Sequence, residues 1–578
     1  MTITASFAGS TLSVLGDSFN NNITTSRTAG GTLQVNGGAV AVTGGTPTVA
    51  NTGLISILAG SGNDSITLNE TNGALPAAAI SGEAGSDTLN GGSAGDQLFG
   101  GLDADTLFGK GGNDTLFGGD GDDTLNGGDG NDVVLGEAGD DTFIWTAGHD
   151  SDVFEGGDGI DTAQTTGGNG AEIFVVSANG ARVRLERVDP APFVTDIGST
   201  ERLVLNPNGG ADAVLVNDLS GTPVQQVLIN LGVGGGSLGD GEEDAVSIFA
   251  GAGNNRISIS TFFLTATYAV TGAELDDTIL LDAGAGSDTI VAGSFAHAIT
   301  INGGTESDTV SYEDSIVGLT VNLDLPALNT GNAAAHTYIS IESVIGSAFD
   351  DVLTGNAEAN TLDGGGGADL LTGLGGDDLY IVDNAADIVS ETAGGGTLDQ
   401  VVVAGISYAL SGTTDIEVLR TLDQTSAIAL NLFGSSASQS ITGNRGANKL
   451  KGLGGDDTLA GNQGKDTLVG GDGRDSFVLS TKLKSTNIDL IKGYVRADDT
   501  IILDNDIFTA LTTTGKLAKS AFHASTSGTA HDATDRILYD TDNGKLYYDK
   551  DGTGHAHAVQ FATLQTHPTI GANDFIIV

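Results

Sequence analysis

Cysteine is absent from this chain of 578 residues, and aromatic residues make up only 5% of it. Without cysteine, disulfide bonds cannot hold the fold together, so its stability must have another source. Hydrophobic residues still make up 39% of the sequence, so an apolar core is possible, and it must be built mainly from Leu, Ile and Val. No run of about 18 apolar residues occurs, so we expect no transmembrane segment.

A cleavable export signal is also missing from the N-terminus. The opening residues, MTITASFAGSTLSVLGDSFNNN, have neither a basic region nor a compact apolar core. Both features are needed for a secretory signal peptide. Any export of the chain is therefore expected to use a different signal.

Basic residues are scarce. Lys and Arg number 22 against 75 Asp and Glu, which gives a net charge of −53. Nucleic-acid binding needs the opposite sign, so we expect no nucleic-acid partner. Between Gly111 and Ala181 there are fifteen acidic residues and no Lys or Arg. A solubilising surface would also be acidic, but here the acids recur at a fixed spacing, which indicates a more specific role.

Glycine is abundant, with 90 residues, and much of it follows a nine-residue repeat. Seven units run without a slip from Gly82 to Ile144, and an eighth, GGDGIDTAQ, begins at Gly156. Two blocks of four units run from Gly346 to Ile381 and from Gly443 to Val478. Solitary units begin at Ala59, Ala283 and Gly303.

Each unit combines a turn with a short strand. The first half, GGxGxD, is turn chemistry, because glycine reaches backbone angles that other residues avoid. The second half carries one apolar residue at position eight, as a strand with one buried side chain would. A unit of nine residues cannot bury its own apolar face, so the units must stack into a solenoid.

Aspartate occupies position six of nearly every unit. If two units complete one coil, the aspartates of alternate units stack on the same edge, about 4.8 Å apart. Carboxylates at that distance repel each other strongly unless a cation lies between them. The candidate metal ligands are Asp87, Asp96, Asp105, Asp114, Asp123, Asp132 and Asp141 in the first block, Asp351, Asp369 and Asp378 in the second, and Asp457, Asp466 and Asp475 in the third.

The type of ligand indicates which cation this would be. The repeats offer carboxylate and carbonyl oxygens and no His or Cys, which suits a hard ion. Calcium accepts six to eight oxygens in flexible geometry, whereas magnesium requires a stricter octahedron. If each ion bridges a unit and the next but one, the three blocks together bind roughly nine Ca²⁺ ions.

The nonapeptides match G-G-x-G-x-D-x-U-x, where U is a large apolar residue, and the chain therefore resembles the RTX proteins. The resemblance implies an all-β fold: a parallel β-roll or β-solenoid with calcium in its turns. Three residues depart from the pattern. Asn360 and Asn448 replace the aspartate, and Asp103 replaces a turn glycine. Weak or absent ion binding is expected at those turns.

The repeat blocks divide the chain into seven expected segments. The stretches between the blocks alternate polar and apolar residues, which predicts further β-structure. The expected segments are an N-terminal β region (1–80), the first RTX block (81–162), a central β-rich region (163–345), the second block (346–390), a degenerate β-solenoid linker (391–442), the third block (443–480) and a C-terminal β domain (481–578).

The C-terminal region has a different composition. Of the 22 Lys and Arg, 14 follow residue 444. The ending, with DFIIV at Asp574–Val578, resembles the uncleaved signal of type I secretion substrates. That resemblance implies the type I secretion machinery as a partner and an extracellular or cell-surface location on a bacterium. An ordinary terminal strand is the alternative.

Two features could suggest other metal sites in this region. The segment DKDGTGHAHAVQ half-matches an EF-hand loop, but Gln560 stands where the bidentate Glu belongs, so a plain hairpin loop is the better interpretation. His555 and His557 could share a strand face and bind a transition metal, but two surface histidines are the simpler interpretation.

Catalytic motifs are weak. None of the eight histidines forms H-E-x-x-H. G-x-S-x-G occurs at Gly91–Gly95, inside a repeat, and at Gly235–Gly239, without the strand and helix that a nucleophile elbow needs. No acidic pair suited to polysaccharide cleavage stands apart from the repeat aspartates. Nothing in the sequence therefore requires an enzyme.

The sequence leaves three functions open. The favoured one is a secreted calcium-binding protein that acts structurally at the cell surface or in the extracellular matrix, as a surface layer, filament or adhesin. Its partners would then be further copies of itself or surface polysaccharide. The alternatives are a polysaccharide-active enzyme with its site in residues 145–345, and a soluble RTX effector.

Overall fold

The computed structural model describes residues 2–232, 243–252, 256–259, 268–271, 278–292, 298–412 and 414–578. These residues form strands joined by turns, with a few short 3-10 helices. The predicted all-β fold, a parallel β-roll, is therefore confirmed. In the described part of the chain, no helix has the length and apolar character needed to cross a bilayer. The chain forms two compact units, residues 1–308 and 309–578.

The strands of the first unit lie in two sheets, and from Ala78 to Thr166 successive strands alternate between them. The strands of one sheet are Thr4–Ala8, Thr11–Leu15, Val42–Thr43, Leu54–Ser61, Ala78–Ala84, Gln97–Leu102, Thr115–Asp120, Val133–Ala138, Val153–Asp158, Ile173–Asn179, Arg182–Asp189, Phe193–Gly198, Ala213–Val216, Ala245–Phe249, Thr278–Asp282 and Ala298–Asn302. Those of the other are Asn22–Arg27, Leu33–Val35, Ser65–Asn69, Thr88–Asn90, Thr106–Gly111, Thr124–Asp129, Thr142–Thr146, Thr162–Thr166, Arg202–Asn206, Gln226–Asn230, Arg256–Ile259, Tyr268–Thr271 and Thr289–Val291.

The strands of the second unit form sheets in which most, but not all, neighbours pair in parallel. One contains Thr309–Ser311, Ser343–Ile345, Thr361–Asp363, Leu379–Val382, Gln400–Val403, Val418–Thr421, Ser440–Thr442, Thr458–Ala460, Ser476–Leu479, Thr500–Leu503, Gly515–Lys516 and Phe575–Ile577. Two further sheets contain Thr320–Asn322, Val352–Thr354, Leu370–Thr372 and Ile388–Ser390, and Tyr408–Ala409, Asn431–Phe433, Lys449–Gly454, Thr467–Asp472, Asp489–Lys492, Phe522–Ser525, Ile537–Asp540, Lys545–Tyr548 and Val559–Leu564. The strand Thr337–Ile339 completes this unit's strands, and the 3-10 helices of the two units are Asn36–Gly38, Pro326–Leu328, Gly331–Ala333, Lys519–Ala521 and Ala572–Asp574.

The register of the ladders follows the repeat. Residues 18 positions apart lie side by side, as Leu107 does with Leu125 and Leu98 with Leu116. Two nonapeptides therefore make one coil, and the apolar residue at position eight stacks on its counterpart in the next coil. Side chains at this position are fully buried in all seven units of the first block. Each such Leu, Val or Phe contributes roughly 1.5–3 kcal/mol by leaving water.

Candidate metal centre

The aspartates at position six form ladders along the edges of the roll. The backbone N–H of Asp87 donates to Oδ1 of Asp105 at 2.7 Å, and that of Asp105 donates to Oδ1 of Asp123 at 2.7 Å. On the opposite edge the N–H of Asp114 donates to Oδ1 of Asp132, also at 2.7 Å. Each carboxylate is thus fixed by one oxygen to the coil before it. The structure places the predicted aspartates on the two edges that a two-unit coil requires.

The second carboxylate oxygen has no such partner in most of these residues. Oδ2 is buried and accepts no hydrogen bond in eleven of the thirteen predicted ligands. These are Asp87, Asp105, Asp114, Asp123, Asp132, Asp141, Asp369, Asp378, Asp457, Asp466 and Asp475. The aspartates themselves are almost fully buried, as with Asp123 at 1% exposure. A buried, unpartnered carboxylate oxygen is costly, which indicates that these oxygens are built for a ligand.

Glycine at position one makes room for that ligand. A Cβ atom on Gly82 would lie 2.7 Å from the carbonyl oxygen of Gly100 in the next coil, and closer still to Oδ2 of Asp87. Gly118 has the same surroundings, with the carbonyl oxygen of Gly136 at 2.7 Å. A carboxylate oxygen and a carbonyl oxygen from neighbouring coils therefore converge on one point. The sequence explained the repeat glycines by backbone angle alone. The structure shows that position one needs glycine because there is no room for a side chain.

Burial perturbs the protonation of these carboxyls. Desolvation raises the pKa of Asp105, Asp114 and Asp141 to about 7, although a backbone N–H partly offsets it, and neighbouring carboxylates raise it further. For Asp123 and Asp132 the same causes raise the pKa to about 6. A bound cation would reverse both effects, because it stabilises the charged form.

These donors fit calcium. They are carboxylate and backbone carbonyl oxygens from two successive coils, and hard cations prefer such oxygens. The unpartnered Oδ2 atoms supply the charge, and the glycine at position one supplies the space. The residues that would hold the ion are therefore the position-six aspartates together with the carbonyls of the position-one glycines. The ion would supply the positive charge that the repeats lack.

The turns adopt two conformations, which we call open and closed. In an open turn the residue at position two has a positive φ, as Gly101 does at 127°, and Oδ2 of the position-six aspartate is unpartnered. Position two adopts this conformation even where it is not glycine, as at Glu83 (φ 76°) and Lys110 (φ 77°). The turn that contains Asp103 is also open, with that residue at φ 72°.

In a closed turn the amide at position two donates to the side chain at position six. Gly92 donates to Oδ2 of Asp96 at 2.7 Å, and Ser347 donates to Oδ2 of Asp351 at 2.5 Å. These two predicted ligands therefore have hydrogen-bond partners for both oxygens. Further turns close in the same way, among them those with Glu172, Asn360, Gln439 and Asn448 at position six.

Three closed turns also receive a donor from another part of the chain. Lys110 Nζ donates to the carbonyl oxygen of Gly91 at 2.8 Å, and the Asn462 amide donates to that of Gly443 at 2.8 Å. Arg187 forms a buried ion pair with Glu172 at 2.7 Å. Protein side chains thus supply the positive charge or hydrogen-bond donor that open turns lack.

The second block ends in a cluster of three buried carboxylates. One oxygen each of Asp378, Glu391 and Asp399 lies within 4.8 Å of the others. The Asp378 amide donates to Oδ1 of Asp399 at 2.8 Å, and the Tyr380 hydroxyl donates to Glu391. Asp378 retains a buried, unpartnered Oδ2. The cluster therefore adds two carboxylates, Glu391 and Asp399, that do not belong to the nonapeptides of the second block.

Several site residues lie outside the thirteen that the sequence singled out. Asp64 and Asp161 belong to a solitary unit and to the eighth unit of the first block, and both have a buried, unpartnered Oδ2 in an open turn. Asp152 lies in the apparent break after Ile144, yet its Oδ1 accepts the amide of Asp132 at 2.9 Å. The nonapeptide pattern was sufficient to find Asp64 and Asp161. It does not reveal Asp152, because the coil from Asp132 to Asp152 is two residues longer than the usual 18.

The other motifs that the sequence analysis considered lie in loops and turns or outside the described residues. The half-matching EF-hand segment forms the loop between strands Lys545–Tyr548 and Val559–Leu564, where Oδ1 of Asp549 accepts two backbone amides of the loop. His555 and His557 are exposed in that loop and do not lie on a strand as expected. Gly91–Gly95 forms part of a closed turn, and Gly235–Gly239 lies outside the described residues.

Comparison with known proteins agrees with this geometry. The profile of the RTX calcium-binding nonapeptide repeat matches four times, at residues 79–107, 108–143, 345–380 and 442–477. A search of curated proteins finds no matching relative. The profile match confirms the resemblance that the nonapeptides indicated. It also supports calcium as the ion that the repeats bind.

Proposed function

This chain carries RTX calcium-binding repeats, and we propose that it is an exported bacterial protein that folds on calcium outside the cell and acts structurally at the cell surface or in the extracellular matrix. One observation carries the proposal. Buried carboxylate oxygens without partners recur along both edges of the repeats. The chain has too few basic residues to compensate them, with 22 Lys and Arg against 75 Asp and Glu.

The open turns identify the pairs of aspartates that would share an ion. A shared site needs two successive open turns on one edge. In the three repeat blocks and the solitary unit before them, seven pairs meet this condition: Asp64–Asp87, Asp87–Asp105, Asp105–Asp123, Asp123–Asp141, Asp141–Asp161, Asp114–Asp132 and Asp457–Asp475. With the three-carboxylate cluster, this is close to the roughly nine ions expected from the repeats alone.

Calcium-dependent folding follows from this arrangement. In a calcium-poor cytosol the stacked aspartates repel one another and oppose coil formation. Outside the cell, turns with the 10⁻⁴–10⁻³ M affinities of extracellular calcium modules would bind the ion, and binding free energy would become folding free energy. An unfolded chain in the cytosol suits passage through a type I secretion channel, for which the C-terminal residues are the proposed signal.

The structural role rests on the repeat architecture. Strands at the end of a stack of coils expose unpaired backbone groups, and such edges invite pairing with another chain. Further copies of the same chain, or surface polysaccharide, are the proposed partners. A calcium-bound chain of this kind would form an ordered layer, filament or adhesive coat.

The test is a calcium titration of the purified full chain. Circular dichroism follows β-structure, the single tryptophan, Trp145, reports packing within the first block, and negative-stain microscopy detects assemblies. We expect β-structure and ordered assemblies to appear together near millimolar calcium. A transition that yields only monomers would refute the surface role while leaving calcium-dependent folding intact. Full β-structure in calcium-free buffer at neutral pH would refute both.

A further inference from the structure

The C-terminal part of the second unit contains a group of side chains with a different chemistry. One ligand atom each of His523, His531 and Asp535 lies within 4.8 Å of the others. We propose that these three residues form a site for a divalent transition metal, with Zn²⁺ as the representative ion. This inference does not depend on the calcium sites, because it uses other residues and another class of ligand.

The local fold brings the three residues together. His523 lies on strand Phe522–Ser525, which pairs in parallel with Ile537–Asp540 and places His523 beside Leu538. The segment 526–536 connects these strands and carries both His531 and Asp535. The imidazole rings of His523 and His531 stack, with centroids 5.4 Å apart and planes 21° apart. The connection therefore returns to the strand at the point where His523 is located.

Asp535 fixes this geometry. Its side chain is buried, and Oδ2 accepts the backbone amides of His531 at 2.6 Å and of Asp532 at 2.9 Å. These hydrogen bonds hold the backbone of His531 against the carboxylate, and both go to Oδ2, so that Oδ1 is not used by either of them. A buried carboxylate beside two imidazoles is a typical arrangement for a metal ligand set.

The ligand types determine which ion fits. Imidazole nitrogen is a suitable ligand for zinc and for related transition metals, whereas calcium takes oxygen ligands. Zn–N bonds are about 2.0–2.1 Å long, so a bound ion needs all three ligand atoms close around it. The side chain of His531 can adjust to the ion, because it is 72% exposed and its ion pair with Asp532 is a long one of 3.6 Å. Water would complete the coordination.

A bound ion would join the two ends of the connecting segment. It would tie strand Phe522–Ser525 to the start of strand Ile537–Asp540 and remove conformational freedom from the eleven or so residues between them. The expected consequence is a C-terminal sheet that resists opening when the transition metal is present. Calcium alone would not have this effect.

The test uses the full chain in saturating calcium, so that the oxygen sites are filled before Zn²⁺ is added. Zn²⁺ binding is measured by competition with a chromophoric chelator, and Co²⁺ substitution gives a visible absorption spectrum that reports nitrogen ligands. We expect one tight equivalent in the wild-type chain. His523→Ala and His531→Ala should each weaken this site at least about tenfold. The double variant His555→Ala, His557→Ala is the matched control and should bind as the wild type does.

The other results would overturn the proposal. One such result is that the wild-type chain binds no tight equivalent of Zn²⁺. Another is that His523→Ala or His531→Ala leaves the Zn²⁺ affinity unchanged. A third is an equal loss of affinity in the control variant, which would indicate general binding by surface histidines. Circular dichroism in calcium establishes that each variant is folded. His531→Ala is the decisive variant, because its side chain is exposed and its removal leaves the hydrogen bonds of the Asp535 carboxylate to the backbone in place.

Discussion

The amide of Gly92 donates a 2.7 Å hydrogen bond to Oδ2 of Asp96, which satisfies a carboxylate oxygen that is unpartnered in the neighbouring repeats. The same relation recurs in the first two turns of the second block, at Asp351 and Asn360. It recurs again in the first turn of the third block, at Asn448. Blocks two and three therefore begin with turns that their own backbone completes, and open turns follow. Closed turns provide coils that can form before any ion binds, onto which the open turns can stack.

Substitution of aspartate by asparagine should separate the two kinds of turn. Asp123→Asn removes a carboxylate that two ion-sharing pairs use, so we expect the calcium midpoint of Trp145 fluorescence to rise severalfold. Asp96→Asn keeps one acceptor oxygen for the amide of Gly92, as Asn360 and Asn448 do in their own closed turns, and should shift the midpoint by less than about twofold. Equal shifts in the two variants would show that the open and closed conformations do not determine ion binding. Circular dichroism at saturating calcium checks that both variants fold.

Position one of an open turn should not tolerate alanine. A Cβ atom on Gly118 would lie 2.7 Å from the carbonyl oxygen of Gly136 and closer to Oδ2 of Asp123. We expect Gly118→Ala to destabilise the calcium-bound fold by about 1–3 kcal/mol, as overpacking does. Gly170→Ala is the matched control, since a Cβ there meets nothing within 4 Å. Urea unfolding in calcium measures both variants, and equal stability would contradict the steric role of position one.

The sequence was sufficient to predict the fold and the placement of most acids in the candidate site, because a nine-residue period determines both the coil and the position of its acids. It singled out the turns at Asn360 and Asn448, which are closed, but it did not distinguish the other closed turns from the open ones. Position four carries part of that signal. Open turns have Gly there, as at Gly121 (φ 134°), or Asp103 in one case. Several closed turns have other residues, such as Ala94 and Phe349. Gly446 belongs to a closed turn as well, so the pattern at one position is not sufficient.

The side chains that replace the ion could not be predicted, because they depend on contacts between coils. Lys110 lies 19 residues after the carbonyl that it contacts, and nothing in its own nonapeptide indicates that role. The three-carboxylate cluster is similar, since Glu391 follows the second block and meets Asp378 only through the stacking of coils. Contacts of this kind require the register of the sheet, which the structure supplies.

Protonation of the buried aspartates should partly replace calcium in stabilising the fold. In the calcium-free fold, burial raises the pKa of Asp105, Asp114 and Asp141 to about 7, above the value of roughly 3.9 for an unfolded chain. The folded state therefore binds more protons between these values, and its stability falls as the pH rises from about 4 to 7. We expect chelator-treated protein to show most β-structure near pH 5 and to lose it by pH 8. The measurement is circular dichroism against pH in metal-depleted buffer.

Calcium should reverse this pH dependence. Calcium binding needs the ionised carboxylates, so the calcium midpoint should fall as the pH rises through the same range. A calcium-free signal that grows with increasing pH, or a calcium midpoint that does not change with pH, would mean that these aspartates do not control the folding. The Asp123→Asn variant should show a smaller pH effect than the wild-type chain.

The ion pair between Arg187 and Glu172 should stabilise the first unit whether or not calcium is present. Both side chains are buried, and Arg187 also stacks on Trp145, with its guanidinium carbon 5.2 Å from the ring centroid. Arg187→Ala leaves Glu172 charged and unpaired, which costs about 3–5 kcal/mol for a buried pair. Urea unfolding followed by Trp145 fluorescence should show this loss. Arg184→Ala, at an exposed ion pair with Glu186, is the control and should cost less than about 1 kcal/mol. Equal losses of stability in Arg187→Ala and Arg184→Ala would contradict the stabilising role of the buried pair.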